Sequence, residues 1–271
     1  MEANGGAAIS APENPPLVLE REGAVMRLVM DRPRAGNSIS LAMAEALMKA
    51  AIDCDEDDSI RCVLLTGRGR LFCAGGDITE FAAAGAGIGA YLKRVTACLH
   101  AAVTRFRHMR KPLVVAVNGP AAGAGFSLAM AGDIVLAAPE ARFIAAYGTL
   151  GYTPDGGLSW MLPRLVGMRR AQEILLANRA VGGEEAVAMG LATRLVPGPE
   201  LDAAAMAQAG ELAAAATGAL GRMRGLLGQA FDTSLEAHLE AEARSIAASA
   251  RTAHGREGVA AFLGRRPALF I

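Results

Sequence analysis

Twice along this chain, about fifty residues apart, a largely apolar run gives way to a glycine-bearing loop and then to a helix-like segment. The first instance is "RCVLLT" at Arg61–Thr66, then "RLFCAGGDITEF" at Arg70–Phe81, then helical spacing through Tyr91–Arg107. The second is "LVVAV" at Leu113–Val117, a small-residue turn at Asn118–Gly125, and a short apolar stretch at Phe126–Ala131. Apolar runs this short, bounded by turn residues, are strands buried on both faces. Strand, loop and helix in alternation predict an α/β core. Further strands are expected at Ile134–Ala137 and Arg142–Tyr147. Ahead of the first repeat, Leu17–Glu22 and Val25–Met30 flank Glu22-Gly23 as a hairpin. Ser40–Ile52 has helical spacing and is expected to end at the acidic run Asp53–Asp58.

The strand pattern stops at Leu201. Beyond it Leu201–Leu227, Leu235–Ala250 and Glu257–Leu263 read as helices rich in alanine. The expected organisation is a loose tail at 1–16, an α/β core at 17–200 and a helical region at 201–271. That last region either covers the core or packs on a neighbouring subunit. The tail lacks a basic segment followed by an apolar core and does not read as a signal peptide. Leu113–Gly132 carries no charge and is long enough to cross a bilayer, but Asn118-Gly119-Pro120 breaks it, so strand, turn and buried helix are expected instead.

Composition narrows the chemistry. Of 271 residues, 27 are Lys or Arg and 27 are Asp or Glu, so the net charge is zero. That balance argues against nucleic-acid binding by counterion release. Cys54, Cys62, Cys73 and Cys98 form no CxxC pair and read as free thiols of a cytoplasmic protein, and His100, His108, His238 and His254 have no ligand spacing. No metal is expected. The glycine loops fail the spacing of a dinucleotide fingerprint and of a phosphate loop. Two readings of them stand: tight turns with close backbone packing, or turns that leave main-chain N–H groups aimed into a cleft, where two can converge on one oxygen.

"FCAGGDI" at Phe72–Ile78, "VNGPAAGAGFSLAMAGDI" at Val117–Ile134, "GTLGYTPDGGLSWMLPRLVG" at Gly148–Gly167 and "GREGVAAFLGRRPALF" near the end together resemble the enoyl-CoA hydratase/isomerase, or crotonase, family. The resemblance runs from about Leu17 to Phe270. It implies a crotonase-like α/β spiral of repeated ββα units with a C-terminal helical region that builds homotrimers or hexamers. It implies an acyl-CoA thioester as substrate and no separate cofactor, since CoA belongs to the substrate. By the family pattern Gly76 and Ala124 are the oxyanion donors. Arg34 and Ala35, with Arg32 beside them, would lie near the CoA entrance. Ala74, Asp77 and Ile78 would follow the adenine and pantetheine path, mainly through backbone contacts, with Gly75 also on the substrate and Asp77 shaping the loop. Gly123, Ser127, Tyr147 and Pro154 would line the acyl group.

The pattern also bears on the reaction. Hydratases of the family use two glutamates, and those positions fall on Ser127 and Tyr147 here. A third position, used by double-bond isomerases, falls on Asp155 in "TPDGG". One carboxylate can take a proton from C2 and return it further along the chain. The expectation is therefore an enoyl-CoA isomerase with Asp155 as acid/base. A hydratase or lyase with another residue set, and a non-catalytic acyl-CoA binder, are the alternatives. From the residues alone Asp155 can also be an N-cap or turn residue ahead of Leu158, and Tyr147 can bond a substrate or fill space. Ser127 in "GFSLA" lacks the closing glycine of a hydrolase elbow, and His238 and His254 lie in the helical region, a poor place for its base.

Overall fold

The computed structural model describes residues 15–270. The expected tail therefore lies almost wholly outside the described residues. The chain opens with the antiparallel hairpin β1 (Leu17–Glu22) and β2 (Val25–Met30), then α1 (Leu41–Glu56) and β3 (Cys62–Gly67). Next come α2 (Ile78–Ala84), α3 (Ile88–His108), β4 (Leu113–Val117), β5 (Ala121–Ala122), α4 (Ala124–Met130), β6 (Ile134–Ala137) and β7 (Arg142–Ile144). Then follow α5 (Leu158–Val166), α6 (Met168–Leu176), β8 (Val181–Gly182), α7 (Gly183–Met189) and β9 (Arg194–Leu195). Four helices close the chain: α8 (Leu201–Ala214), α9 (Thr217–Gln229), α10 (Leu235–Ala250) and α11 (Ala253–Leu263).

The large sheet has the order β1-β2-β3-β4-β6-β9 and is parallel from β2 onward. A second sheet runs β5-β7-β8, and the bridges Cys73↔Ala121 and Ile39↔Gly76 carry its pairing back into the earlier loops. Each turn of chain thus gives one strand to the large sheet, one strand or bridge to the small one, and then helix. This is the expected α/β spiral of ββα units, followed by a C-terminal helical region.

Alternation along the central strands sorts the core into two faces. Leu28, Val63, Leu65, Val115 and Val117 face α1, α3 and α4. Cys62, Leu64, Val114, Ala116 and Leu136 face α8, which presents Leu201, Ala205, Ala209 and Ala213 at four-residue spacing. Both faces are covered, which is why β3 and β4 contain only buried residues. The uncharged stretch from Leu113 is strand, turn and buried helix, and among the described residues no helix is long and apolar enough to cross a membrane.

Three local readings are corrected. α1 runs through the acidic residues to Glu56, because Lys111 Nζ donates to the main-chain oxygens of Cys54, Asp55 and Asp57 at its C-terminal end; a cation there satisfies the orphan carbonyls. The single helix expected over Leu201–Leu227 is two helices. Arg61, far earlier in the chain, donates to Ala215 O (2.7 Å) and Thr217 Oγ1 (3.1 Å) and holds the break open. The strand expected over Arg142–Tyr147 ends at Ile144, since Ala146 takes a φ of +60° with its N–H on Asn178 Oδ1 at 2.7 Å. That turn sends Tyr147 out of the sheet.

Candidate active site

The loop that follows β3 begins the site. Ile39 N–H donates to Gly75 O (2.7 Å) and Asp77 N–H to Ile39 O (3.1 Å), so the bridge uses the groups on either side of Gly76 N–H. Gly76 N–H itself reaches no protein acceptor among the described residues. Ala124 is the first residue of α4, where a helix leaves its N–H groups unpaired; it too donates to no protein acceptor. Both residues line one cavity of about 500 Å³, with Ala74, Gly75, Ile78 and Gly123 on the same side and Tyr147, Pro154 and Asp155 on the other. Phe81, Leu92, Leu150 and Tyr152 supply its apolar wall. A Cβ on Gly76 would lie 2.4 Å from Phe81 Cζ, so this loop can pass under the ring only without a side chain.

The opposite wall is a network of side chains. Asp155 sits in the turn before α5, half-buried. It does not cap that helix: the N-cap position is Gly157 and no side chain caps it. Instead Asp155 Oδ1 accepts from the Tyr147 hydroxyl at 2.6 Å. Ser127 Oγ donates to the main-chain oxygen of Asp155 at 2.8 Å and lies 3.2 Å from the Tyr147 hydroxyl. Gly156, at φ +58°, brings the turn so close to Ser127 that a Cβ would sit 2.7 Å from the serine Cβ. Gly156 N–H donates to His100 Nε2 at 3.0 Å, which puts that ring's proton on Nδ1. Burial, and then the charge of Asp155, raise the Tyr147 hydroxyl far above its ordinary range. It stays protonated and acts as a donor. Burial pushes the Cys73 thiol, beneath the first loop, up to about 12, so it is no nucleophile.

Other expected positions are not in the lining of this cavity. Ser127, expected to line the acyl group, is 0% exposed and stands behind Tyr147 and Asp155 rather than in the cavity lining; its hydroxyl is occupied by main-chain oxygens, with no histidine among its partners. Asp77, expected to shape the loop and to follow the CoA path mainly through its backbone, is buried as the N-cap of α2, accepting from Thr79 N–H and Glu80 N–H, as a loop-shaping side chain does. Burial opposes its charge, but hydrogen bonds from Arg32, Glu80 N–H and Ser38 outweigh it and hold the carboxyl below the usual range. Arg32 directs Nη1 there, at 2.9 Å from Asp77 Oδ2 and 2.8 Å from Ser38 O, while it also lines the cavity of Arg34 and Ala35. Arg34 and Ala35 line a separate cavity of about 700 Å³ beside Asp31 and Glu80. His100 escaped the sequence reading because its partner is a main-chain N–H 56 residues away, and no spacing rule covers such a pair.

Comparison with known proteins agrees with this geometry. The family model described as Enoyl-CoA hydratase/isomerase matches residues 20–271. A 1,2-epoxyphenylacetyl-CoA isomerase of Escherichia coli (strain K12) is 37% identical over 92% of this chain and 95% of its own length. A probable enoyl-CoA hydratase of Rhodobacter capsulatus is also 37% identical, over 90% of this chain and 93% of its own. Among solved structures, an enoyl-CoA hydratase from Polaromonas sp. JS666 superposes with a TM-score of 0.89 at 32% identity, covering 93% of this chain and 98% of that one. Two sheets wound as ββα units, unpaired main-chain donors in two loops, and similarity along nearly the whole length lead to one conclusion: the chain belongs to the enoyl-CoA hydratase/isomerase family.

Proposed function

We propose that this acyl-CoA enzyme moves a carbon–carbon double bond, converting a 3-enoyl-CoA into a 2-enoyl-CoA, with Asp155 as its acid/base. The thioester oxygen is bound by the N–H groups of Gly76 and Ala124. As charge builds on that oxygen the two donors strengthen, and the enolate becomes accessible; each donor of this kind is worth roughly 2.7–4 kcal/mol in the transition state. Asp155 takes the C2 proton and returns it two carbons further on. No water is consumed and no cofactor enters, since CoA is carried by the substrate.

One observation carries this reading. Asp155 is the only carboxylate among the described residues that line the cavity. The positions that hold hydratase glutamates are Ser127, which is buried behind the wall, and Tyr147, which is a permanent donor. A hydratase needs a second group to place water, and this cavity offers no second carboxylate for it. We place the reaction in the cytoplasm, in keeping with the four free cysteines. We also propose a homotrimer or hexamer. α9 and α10 have no buried residue of their own, and Leu227, Phe231, Leu235 and Phe262 stand 68–84% exposed. Sedimentation showing a monomer at micromolar concentration would end that part of the proposal.

The activity is tested by giving the purified protein 3-hexenoyl-CoA and, separately, 2-hexenoyl-CoA in water. Migration of the double bond is the expected result. A 3-hydroxyacyl-CoA product would make it a hydratase, and tight binding of both esters without turnover would make it a binder.

A further inference from the structure

Proton counting around Tyr147 gives this residue a role. Asp155's main-chain oxygen can only accept, so the single Ser127 hydroxyl proton is spent on it at 2.8 Å. The 3.2 Å contact between Ser127 Oγ and the Tyr147 hydroxyl then has no proton from the serine side. The tyrosine proton has two acceptors to choose from, Ser127 Oγ at 3.2 Å and Asp155 Oδ1 at 2.6 Å. The nearer, charged acceptor wins. Ser127 is fully buried and its other neighbour is Gly123 O, so nothing on that side competes for the tyrosine. No protein donor reaches Asp155 Oδ2 among the described residues, and Asp155 lines the cavity.

We propose that Tyr147 is a positioning residue for Asp155: its hydroxyl pins Oδ1 so that Oδ2 alone faces the substrate and exchanges the proton. The arrangement serves both states of the carboxyl. As a carboxylate, Asp155 receives a charge-assisted bond on Oδ1 while Oδ2 is free to take the proton from carbon. Once Oδ2 carries that proton, Oδ1 is a carbonyl-type oxygen and still accepts from Tyr147. The tyrosine keeps its own proton throughout, as its raised ionisation demands. The left-handed turn at Ala146, held by Asn178, delivers the tyrosine to the cavity wall.

This inference rests on Asp155 being the acid/base, and the test separates the two. Tyr147→Phe, Asp155→Asn and the double variant are compared by single-turnover kinetics on 3-hexenoyl-CoA, with thermal unfolding as a check on folding. The phenylalanine keeps the buried ring. Loss of a hydrogen bond to a charged group should lower the rate by about 10- to 100-fold with KM changed less than about twofold. In the Asp155→Asn background the same change should cost nothing further, because the tyrosine acts only through the carboxylate. A Tyr147→Phe rate within about twofold of wild type, or the same loss in both backgrounds, overturns the role of Tyr147 while leaving Asp155 in place. Full activity in Asp155→Asn, or no migration by the wild type, overturns the reading of Asp155 and this inference with it.

Discussion

The two walls of the cavity are built from different materials. On one, the unpaired polar groups are main-chain N–H donors of cavity-lining residues, held by the bridge at Gly76 and by the first turn of α4. On the other, the chemistry lies in side chains, Asp155 on Tyr147 on a turn tied down by Ser127 and His100. A main-chain donor belongs to no side chain, so short of proline, which lacks the N–H, the first wall is altered only by moving the backbone. The second can be edited one atom at a time. The contrast also suits the two tasks. Stabilising charge on oxygen needs fixed dipoles that do not reorganise, whereas moving a proton needs a group that changes state.

The largest expected effect lies on the side-chain wall. Asp155→Asn keeps the shape and removes the acid, and turnover of 3-hexenoyl-CoA should fall by about 100- to 10,000-fold; retention within a few-fold of wild type would erase the contrast. On the other wall, Gly76→Ala should act through sterics. Its Cβ meets the Phe81 ring at 2.4 Å, so the loop must shift, and the rate should drop by up to about 100-fold as one donor leaves its place. Trimming the ring in a Gly76→Ala/Phe81→Leu variant should restore part of the rate. No recovery would mean that the ring does not set the position of that donor.

A smaller effect tests how far the main-chain wall depends on a side chain beneath it. Asp77 caps α2 and pairs with Arg32 directly after Gly76. Asp77→Asn should cost about 1–3 kcal/mol of stability at neutral pH, read as a lower unfolding midpoint, with a lesser effect on rate. The carboxyl is held below its ordinary range. Its contribution is therefore complete above the unfolded value of about 4 and is lost as pH falls through the lower folded value. Unfolding midpoints of wild type and variant should converge in acid; a gap that widens there would contradict the pairing.

Legibility followed the range of the interactions. The hairpin and the strands β4 and β6 lie where the apolar pattern puts them, because each is a short run rich in apolar residues and bounded by turn residues next to it in sequence. α10 begins at Leu235 behind Ser234, whose hydroxyl accepts from Ala237 N–H, a local cap. Readings failed where a distant residue intervened. Lys111 lengthens α1, Arg61 breaks the alanine-rich run at Ala215, and Asn178 supports the turn at Ala146 that cuts β7 short. The elements α6, β8, α7 and β9 went unread, two of them being strands of only two residues.

The site divides in the same way. The glycine loops and the Thr-Pro-Asp-Gly-Gly turn announced themselves in one dimension, because small residues and turn formers have local causes. That Ser127 stands behind the wall, that Tyr147 serves a carboxylate, and that His100 receives the N–H of Gly156 depend on segments 8 to 56 residues apart.

Sequence alone determined the alternation of buried strand, glycine loop and helix, and with it the α/β spiral and the family, because periodicity and turn chemistry act between neighbours. Only the tertiary structure decided which carboxyl oxygen accepts from Tyr147 and which residues stand in the cavity wall. A hydrogen bond is directional over a few tenths of an ångström, and that precision exists only once distant elements have packed.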